Sequence, residues 1–194
     1  GKPLIPVHHI AGHMASNYIS HPELKPPYLC LVASGGHSHI VEVLDYTKFK
    51  VVGRTRDDAA GECFDKVART LGFPYPGGVH IDKAAKIGNA NAYILPHPKV
   101  TGSPYDFSFS GLKTAVINLV HNAEQKKTPV NKDDLAASFQ KTISEILVEK
   151  SVNAAKDLGY KTMALAGGVS ANTGVRSLLQ QECDKAGIKL FMPA

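Results

Sequence analysis

The amino-acid sequence predicts an α/β fold, and three segments carry that prediction. Tyr28–Ala33 is a continuous apolar run, which is typical of a strand buried on both faces of a sheet. Strand character resumes at residues 39–44 after a Ser-Gly-Gly-His turn, so these two segments are expected to form a hairpin. Thr162–Ala166 runs through a Gly-Gly pair into a helix that ends at about Ala186. With 194 residues, the chain suffices for one sizeable α/β domain or one and a half smaller ones.

The first half of the chain adds two strands and a helix to this core. Residues 4–7 are expected to form a short strand that enters a histidine-rich segment, and residues 49–54 a further strand. Asp57 or Asp58 is expected to cap a helix that ends at Gly72. The apolar stripe of this helix consists of Phe64, Val67, Ala68 and Leu71.

The second half is predicted to be mainly helical before the last strands. Residues 73–78 form a rigid turn with two prolines and two glycines, followed by a helix that contains Asp82. Asp133 or Asp134 is expected to cap a long helix that ends at about Asp157. The other predicted segments are a proline-rich loop at 94–105, a helix at about 112–124, a polar connection at 125–132 and a short strand at 188–192.

Composition excludes some classes of protein. Hydrophobic residues make up 43% of the chain, and no stretch approaches the roughly 18 continuous apolar residues that cross a membrane. The three cysteines are odd in number, far apart and without a CxxC pair, which argues against a disulfide framework and for a reducing compartment. A net charge of +5 is compatible with nucleic-acid contact but does not establish it.

The histidine-rich segment is a candidate metal site. If this segment is helical, His9 and His13 project from one face, one turn apart, where both can bind one ion. Such pairs also occur on ordinary helix faces, so the spacing leaves both interpretations open. A zincin-type peptidase needs a glutamate directly after the first histidine, and Ile10 occupies that position.

Two glycine turns are candidate anion-binding loops. The turn at Ser34, Gly35 and Gly36 can cradle a phosphate, since glycine lets backbone amides approach an anion, or it can be a plain hairpin turn. The Gly167-Gly168 turn precedes a helix N-terminus, where unpaired amides favour an anion, and Asn172 can bind a base or ribose. Neither turn has the Rossmann or the Walker pattern.

Three acidic residues form another candidate. Asp58, Glu62 and Asp65 are spaced by four and three residues and therefore share one helix face. With no lysine expected to compensate them, binding of a ligand hydroxyl or a metal competes with a plain solvated face.

Taken together and in order, these motifs resemble one family. The blocks are HHxxGH, LVxSGGH, DDAAGExFDKVARxLGFPYPGG, DFSFSGLKTA and LAGGVSAN. They resemble the bacterial tRNA N6-adenosine threonylcarbamoyltransferases, the TsaD family, which is also described as glycoprotease or O-sialoglycoprotein endopeptidase. The resemblance covers essentially the whole chain.

The resemblance implies a fold and a domain division. The family belongs to the actin/Hsp70/sugar-kinase (ASKHA) superfamily, whose RNase H-like lobes contain a mixed sheet flanked by helices. Residues 1–27 would be the end of the first lobe with the metal helix. Residues 28–194 would be the second lobe, with a helical insertion at about 75–135.

The resemblance also implies a reaction and its site. Members transfer the threonylcarbamoyl group of threonylcarbamoyl-AMP to N6 of adenosine 37 in tRNAs that read ANN codons. His9 and His13 would bind one divalent metal, iron or zinc. The adenylate, or ATP or ADP, would contact Val32, Ala33, Ser34, Gly35, Gly36, Asp65, Gly78, Asp82 and Asn172. Expected partners are tRNA, the paralogue TsaB and the ATPase TsaE, with a homodimer possible, in the cytoplasm and without a membrane.

The sequence departs from the family pattern in ways that limit these expectations. Ala11 stands where the HHxEGH form has glutamate. The third metal ligand, an aspartate in a CTDN motif, and the N-terminal lobe are expected outside these 194 residues, so this chain alone is expected to be inactive.

The alternatives to the transferase function are an ATPase or kinase of the same superfamily, a metallopeptidase, and a non-catalytic lobe that serves as a dimerisation module. No nucleophile constellation is evident, so the RNA amine is expected to attack directly. His37 is a candidate general base, or a residue with a structural hydrogen bond.

Overall fold

The computed structural model describes residues 2–4 and 6–193. Within these residues the chain forms five strands and six α-helices, with one short 3₁₀ turn. Their bounds are α1 His9–Ser20, β1 Tyr28–Ala33, β2 Ser38–Asp45, β3 Lys48–Arg54, α2 Ala60–Thr70, α3 Gly77–Ala85, α4 Ser110–Gln125, α5 Lys132–Asp157, β4 Thr162–Ala166, the 3₁₀ turn Gly168–Ala171, α6 Thr173–Ala186 and β5 Lys189–Phe191.

The five strands form one mixed sheet in the order β3-β2-β1-β4-β5. β1 and β2 are antiparallel neighbours, as the hairpin signal predicted, and β3 pairs antiparallel with β2. β4 runs parallel to β1, and β5 runs parallel to β4. β1 lies in the middle, and all six of its residues are buried. The mixed sheet and its flanking helices confirm the predicted α/β fold.

The side chains of β1 alternate between two hydrophobic cores. Its odd-numbered residues (29, 31 and 33) belong to a large core with α2, α4, α5 and α6, while its even-numbered residues (28, 30 and 32) belong to a smaller core with α1. This alternation follows from the two-residue period of a strand. The sheet therefore carries helices on both faces, and α1, with its two histidines, is fixed to the sheet through Ile10 and Met14.

The long helix α5 is the centre of the larger core. It packs against both α3 and α6. The predicted apolar stripe is confirmed, because Leu135, Phe139, Ile143, Ile146 and Leu147 are all buried. α5 thereby fixes the relative positions of the two helices that bound the candidate site.

Two predicted helix caps are wrong. α2 begins after Ala59 without a side-chain cap, because the Asp57 carboxylate instead accepts hydrogen bonds from the amides of Phe109 and Ser110. α5 is capped by Asn131, whose side-chain oxygen accepts from the amides of Asp133 and Asp134. In the first case a distant segment uses the expected cap, and in the second a neighbouring polar residue replaces it.

Smaller differences concern the ends of the chain. Residues 4, 6 and 7 form no strand, so the prediction for 4–7 is wrong there, and residue 5 lies outside the described residues. The last strand spans only Lys189–Phe191. The described helices contain none that is long and apolar enough to cross a bilayer. The division into 1–27 and 28–194, with an insertion at about 75–135, stays a prediction.

Candidate functional site

A cleft of about 320 Å³ lies where the turn after β1, helix α2, the start of α3 and the 3₁₀ turn meet. Five of the predicted site residues line it together. They are Gly35, Asp65, Gly78, Asp82 and Asn172. The other lining residues are Gly61, Phe64, Tyr75, Pro76, Val79, Gly168, Val169 and Ala171. The cleft is within the size range of small-molecule sites, and its walls mix apolar groups with a few polar ones.

The glycines of the cleft have two roles. Some leave space for a ligand beside the backbone, and Gly61 allows two backbone segments to pack closely. A Cβ atom on Gly35 or Gly78 would meet no atom within 4 Å, so a ligand can approach the backbone at both places. A Cβ on Gly61 would lie 2.7 Å from the carbonyl oxygen of Ser34, because the Gly61 amide donates to that oxygen over 3.0 Å. Gly61 thus holds the turn after β1 against the start of α2.

Gly167 takes a backbone conformation that favours glycine. Its φ is 91°, and a Cβ there would collide with the carbonyl group of Ala33. This close approach brings the end of β4 against the end of β1 and positions the 3₁₀ turn that forms one wall of the cleft.

Asp65 supports the turn that precedes α3. Its Oδ1 accepts a hydrogen bond from the amide of Gly77 over 2.8 Å. Gly77 fits tightly there, since a Cβ would lie 2.6 Å from the Cβ of Ala68. No hydrogen bond within the described residues uses the other carboxylate oxygen of Asp65, so that oxygen can accept one from a ligand hydroxyl.

Asp82 links the two helices on the far side of the cleft. Its Oδ1 accepts from the amide of Thr173 over 2.9 Å and from the hydroxyl of Thr173 over 2.7 Å. Its Oδ2 lies 3.4 Å from the ammonium group of Lys86. Asp82 therefore ties α3 to the N-terminus of α6 and fixes the width of the cleft.

Asn172 is mostly engaged by the protein itself. Its side-chain oxygen caps α6 by accepting from the amide of Val175 over 3.0 Å, and its side-chain nitrogen donates to Oε1 of Gln140 over 2.7 Å. A side-chain amide has two donor hydrogens and two acceptor lone pairs, so one of each is left for a ligand.

The other predicted nucleotide residues do not line the cleft. Val32 and Ala33 are wholly buried in β1, where Val32 pairs with His39 and Ala33 with Ser38. The amide of Ser34 donates to the carbonyl oxygen of His37 over 2.7 Å, which closes the turn. Gly36 lies within that turn, and a Cβ atom added to it would meet no atom within 4 Å. These four residues lie next to the cleft and shape its edge.

The histidine pair has the predicted arrangement. His9 and His13 lie on one face of α1, and their Nε2 atoms are 3.1 Å apart. Burial lowers the pKa of His13, and the nearby rings of His9 and His37 lower it further. Neutral imidazole is the form that binds a metal.

Two further histidines extend this pair into a cluster. The ring centroid of His37 lies 5.3 Å from that of His9, and the ring of His39 lies 5.4 Å from that of His37. The Nδ1 atoms of both His37 and His39 are buried and without a hydrogen-bond partner among the described residues. Buried polar atoms without partners are uncommon and often indicate a water or ion. As they stand, no three His, Cys, Asp or Glu side chains of the described chain are arranged to hold a metal ion.

Two of the three carboxylates on the predicted acidic face, those of Asp58 and Glu62, form ion pairs with lysines. Lys66 lies 2.7 Å from Glu62 and 3.3 Å from Asp58, and Lys113 lies 2.5 Å from Asp58. The interpretation of an uncompensated acidic face is therefore wrong, because Lys66 follows Glu62 at the i,i+4 spacing. Burial works to raise the pKa of Asp58, but the hydrogen bonds from Lys113 and Lys66 outweigh it and lower the pKa overall.

Sequence reasoning missed several residues of the cleft wall. Tyr75 is the largest of them, and its position between two prolines in a rigid turn beside two glycines was the signal. Gly61 was also missed, although it follows two alanines at the start of a predicted helix, where a glycine is unfavourable unless close packing requires it.

The three cysteines are all buried and not paired with one another. Burial raises the pKa of Cys63 to about 12 and that of Cys183 to about 11, and it raises the pKa of Cys30 still further. Thiols in such surroundings are poor nucleophiles. They give the cleft no thiolate for covalent catalysis.

Comparison with solved structures identifies the class of fold. The crystal structure of full-length HypF in the phosphate- and nucleotide-bound form has a TM-score of 0.71 at 14% identity, over 97% of this chain and 33% of that one. HypF of T. kodakarensis has a TM-score of 0.71 at 15% identity, over 97% and 34%. Component A of the Acidaminococcus fermentans (R)-2-hydroxyglutaryl-CoA dehydratase has a TM-score of 0.54 at 17% identity, over 94% and 60%. The chain shares the ASKHA-type fold of these proteins, which confirms the fold that the family resemblance implied.

Comparison of sequences identifies the family. Residues 1–194 match the family TsaD: tRNA N6-adenosine threonylcarbamoyltransferase. Proteins of that name from Clostridium botulinum strain Hall and Clostridium perfringens strain 13 are each 49% identical over 193 residues. The match covers 100% of this chain and 57% of each of those proteins. The chain belongs to the TsaD family, which confirms the resemblance drawn from its motifs.

Proposed function

We propose that the protein containing this chain forms N6-threonylcarbamoyladenosine in tRNA. It transfers the threonylcarbamoyl group of threonylcarbamoyl-AMP to N6 of adenosine 37 in tRNAs that read ANN codons. The observation that carries the proposal is the family match over all 194 residues, together with relatives of that name at 49% identity. The cleft supports it, because five residues expected to contact the adenylate line one cavity.

The chain's own residues can bind and orient the adenylate. The open backbone at Gly35 and Gly36 suits the phosphate, since amides without a Cβ nearby can approach its oxygens. The free oxygen of Asp65 and the carboxylate of Asp82 suit the ribose hydroxyls, and Asn172 retains one donor and one acceptor for the base. Fixing the mixed anhydride in this way removes much of the entropic cost of the transfer.

The histidine residues fit a divalent metal, iron or zinc. Two imidazole nitrogens bound to one ion at about 2.0–2.1 Å lie roughly 3 Å apart, close to the separation of the Nε2 atoms of His9 and His13. The ring of His37 lies 5.3 Å from that of His9, and its Nδ1 is buried without a hydrogen-bond partner among the described residues, which fits a water or ion near this pair. When bound, the metal supplies a Lewis acid for the phosphate or the carbonyl group.

The acyl transfer needs no covalent enzyme intermediate. The buried thiols provide no nucleophile, so N6 of the adenosine attacks the carbonyl carbon, the carbonyl–phosphate bond breaks and AMP leaves. His37 accepts the proton that N6 loses, since it belongs to the turn after β1, whose Gly35 lines the cleft, and its ring centroid lies 5.3 Å from that of His9. The protein acts in the cytoplasm with tRNA, TsaB and TsaE, and its subunits can pair as a homodimer.

A chimaera tests the proposal on these residues. Residues 1–194 replace the matching segment of the Clostridium botulinum relative, and the product is incubated with TsaB, TsaE, tRNA and a source of threonylcarbamoyl-AMP. We expect the modified nucleoside in digested tRNA by mass spectrometry, and none from the same chimaera with His13→Ala. A chimaera that folds and binds AMP but leaves the tRNA unmodified would overturn the proposal.

A further inference from the structure

One wall of the cleft presents an aromatic ring that the protein does not cover. Tyr75 is 84% exposed although it lines the cleft, and Val79, which also lines the cleft, is 50% exposed. Large apolar groups that stay exposed at the mouth of a polar-rimmed cavity are typical of ligand-binding surfaces. No hydrogen bond to another described residue explains why the phenol ring should stand at this place.

The ring is held by a stiff and well-anchored turn. Pro74 and Pro76 flank Tyr75 and restrict the backbone on both sides. The next residue, Gly77, is fixed to α2 by its hydrogen bond to Asp65 and by its close fit against Ala68. An aromatic ring presented on such a turn loses little conformational freedom when a ligand packs against it.

We infer that Tyr75 is a stacking platform for the purine ring of the adenylate. The ring faces the same cavity as Asp65, Asp82 and Asn172, so a nucleotide that uses these polar groups brings its base within reach of Tyr75. Stacking suits this position because it requires a flat apolar face and no particular hydrogen-bond pattern. The inference rests on the proposed adenylate site and names a residue that selects for a base.

Because the chain contains no tryptophan, an introduced tryptophan is a specific fluorescent probe of ligand binding at position 75. Tyr75→Trp introduces a single indole at the proposed platform, and AMP is expected to quench its fluorescence in a saturable way. The matched control is Tyr46→Trp, because Tyr46 is 61% exposed in the turn between β2 and β3 and does not line the cleft. Its emission is expected to stay constant. If an anticodon-loop RNA but not AMP quenched the indole of the Tyr75→Trp variant, the inference would be overturned.

Affinity measurements separate stacking from a structural role. Tyr75→Ala is expected to weaken AMP binding about tenfold, whereas Tyr75→Phe keeps it, since the ring and not the hydroxyl makes the contact. Ribose 5-phosphate lacks the base, so its affinity is expected to be equal in the wild type and in Tyr75→Ala. Equal weakening of both ligands would show that the turn itself was damaged, and the inference would fail.

The same titrations distinguish the two proposals. If the wild type binds AMP and Tyr75→Ala binds it equally well, Tyr75 is not a platform, while the adenylate site stands. If the wild type binds neither AMP nor threonylcarbamoyl-AMP, the proposed site itself is wrong and the inference falls with it. Circular dichroism of each variant is expected to match the wild type, because a side chain as exposed as Tyr75 contributes little to the core.

Discussion

The Nε2 atoms of His9 and His13 lie 3.1 Å apart on the same face of α1. A hydrogen bond between the two rings accounts for this approach, and the same separation suits two nitrogen ligands of one ion. We predict that His13→Ala weakens zinc binding by at least about tenfold, because one of two converging nitrogens is lost. Competition with a chromophoric chelator at neutral pH measures the change.

His8→Ala is the control for the metal prediction. His8 directly precedes α1, and its ring packs edge-on against Phe49 with the centroids 5.2 Å apart. We expect this variant to bind zinc like the wild type. Equal loss of affinity in His8→Ala and His13→Ala would show that general damage to the helix, and not loss of a ligand, explains the effect.

Alanine substitutions at Gly61 and Gly36 provide a second test variant with its matched control. A Cβ on Gly61 would lie 2.7 Å from the Ser34 oxygen and 2.8 Å from the Gly35 nitrogen, so Gly61→Ala must displace the turn at the cleft. We predict a loss of about 1–3 kcal/mol in the free energy of unfolding, together with weaker AMP binding. Urea denaturation and isothermal titration calorimetry measure the two effects.

Gly36→Ala tests whether a steric collision of the added Cβ atom causes the loss of stability in Gly61→Ala. No atom lies within 4 Å of the added Cβ, so its free energy of unfolding is expected to stay within about 0.5 kcal/mol of the wild type. A Gly61→Ala variant as stable as Gly36→Ala would contradict the close approach of α2 to the turn.

The ion pairs of Asp58 predict a dependence of stability on pH. Hydrogen bonds from Lys113 and Lys66 hold the pKa of Asp58 below its usual value of 3.8. A carboxylate with a lowered pKa stabilises the fold above its unfolded-state pKa, and this contribution is lost as the pH falls through the folded-state pKa. We predict that Asp58→Asn costs about 1 kcal/mol at pH 7 and progressively less below about pH 4.

Urea denaturation of the wild type and of Asp58→Asn from pH 7 to pH 3 tests whether the difference in their free energies of unfolding decreases on acidification. Glu62→Gln is the control, since its side chain is 44% exposed and pairs only with Lys66 among the described residues. The expected effect of this change is small at every pH, as for most exposed pairs. A difference between wild type and Asp58→Asn that grows on acidification would contradict the assignment.

The strands and long helices could be predicted because their signals are local. The strand Tyr28–Ala33 could be predicted from its own apolar run, and the buried stripe of α5 from the spacing of its apolar residues. The caps failed because they depend on contacts that no local pattern reveals. Asp57, in particular, bonds to residues about 50 positions away instead of capping α2.

The site was predictable in part for the same reason. The glycine turns indicated Gly35 and Asn172, the family resemblance added Asp65, Gly78 and Asp82, and the fold brings all five to one cleft. That Asp82 bonds to Thr173, 91 residues further along the chain, depends on how α3 and α6 pack and could not be inferred from spacing. The exposure of Tyr75 is likewise a property of the folded surface.

The cysteines provide a final prediction that bears on the chemistry. Cys30, Cys63 and Cys183 are buried, and burial raises the pKa of each thiol, that of Cys63 to about 12. The thiolate is the reactive form, so native protein at pH 8 is expected to react with a thiol reagent far more slowly than unfolded protein. In denaturant all three thiols are expected to react at once. One thiol that reacted rapidly in the native protein, and whose alkylation blocked AMP binding, would place a nucleophile at the cleft and contradict direct attack by the RNA amine.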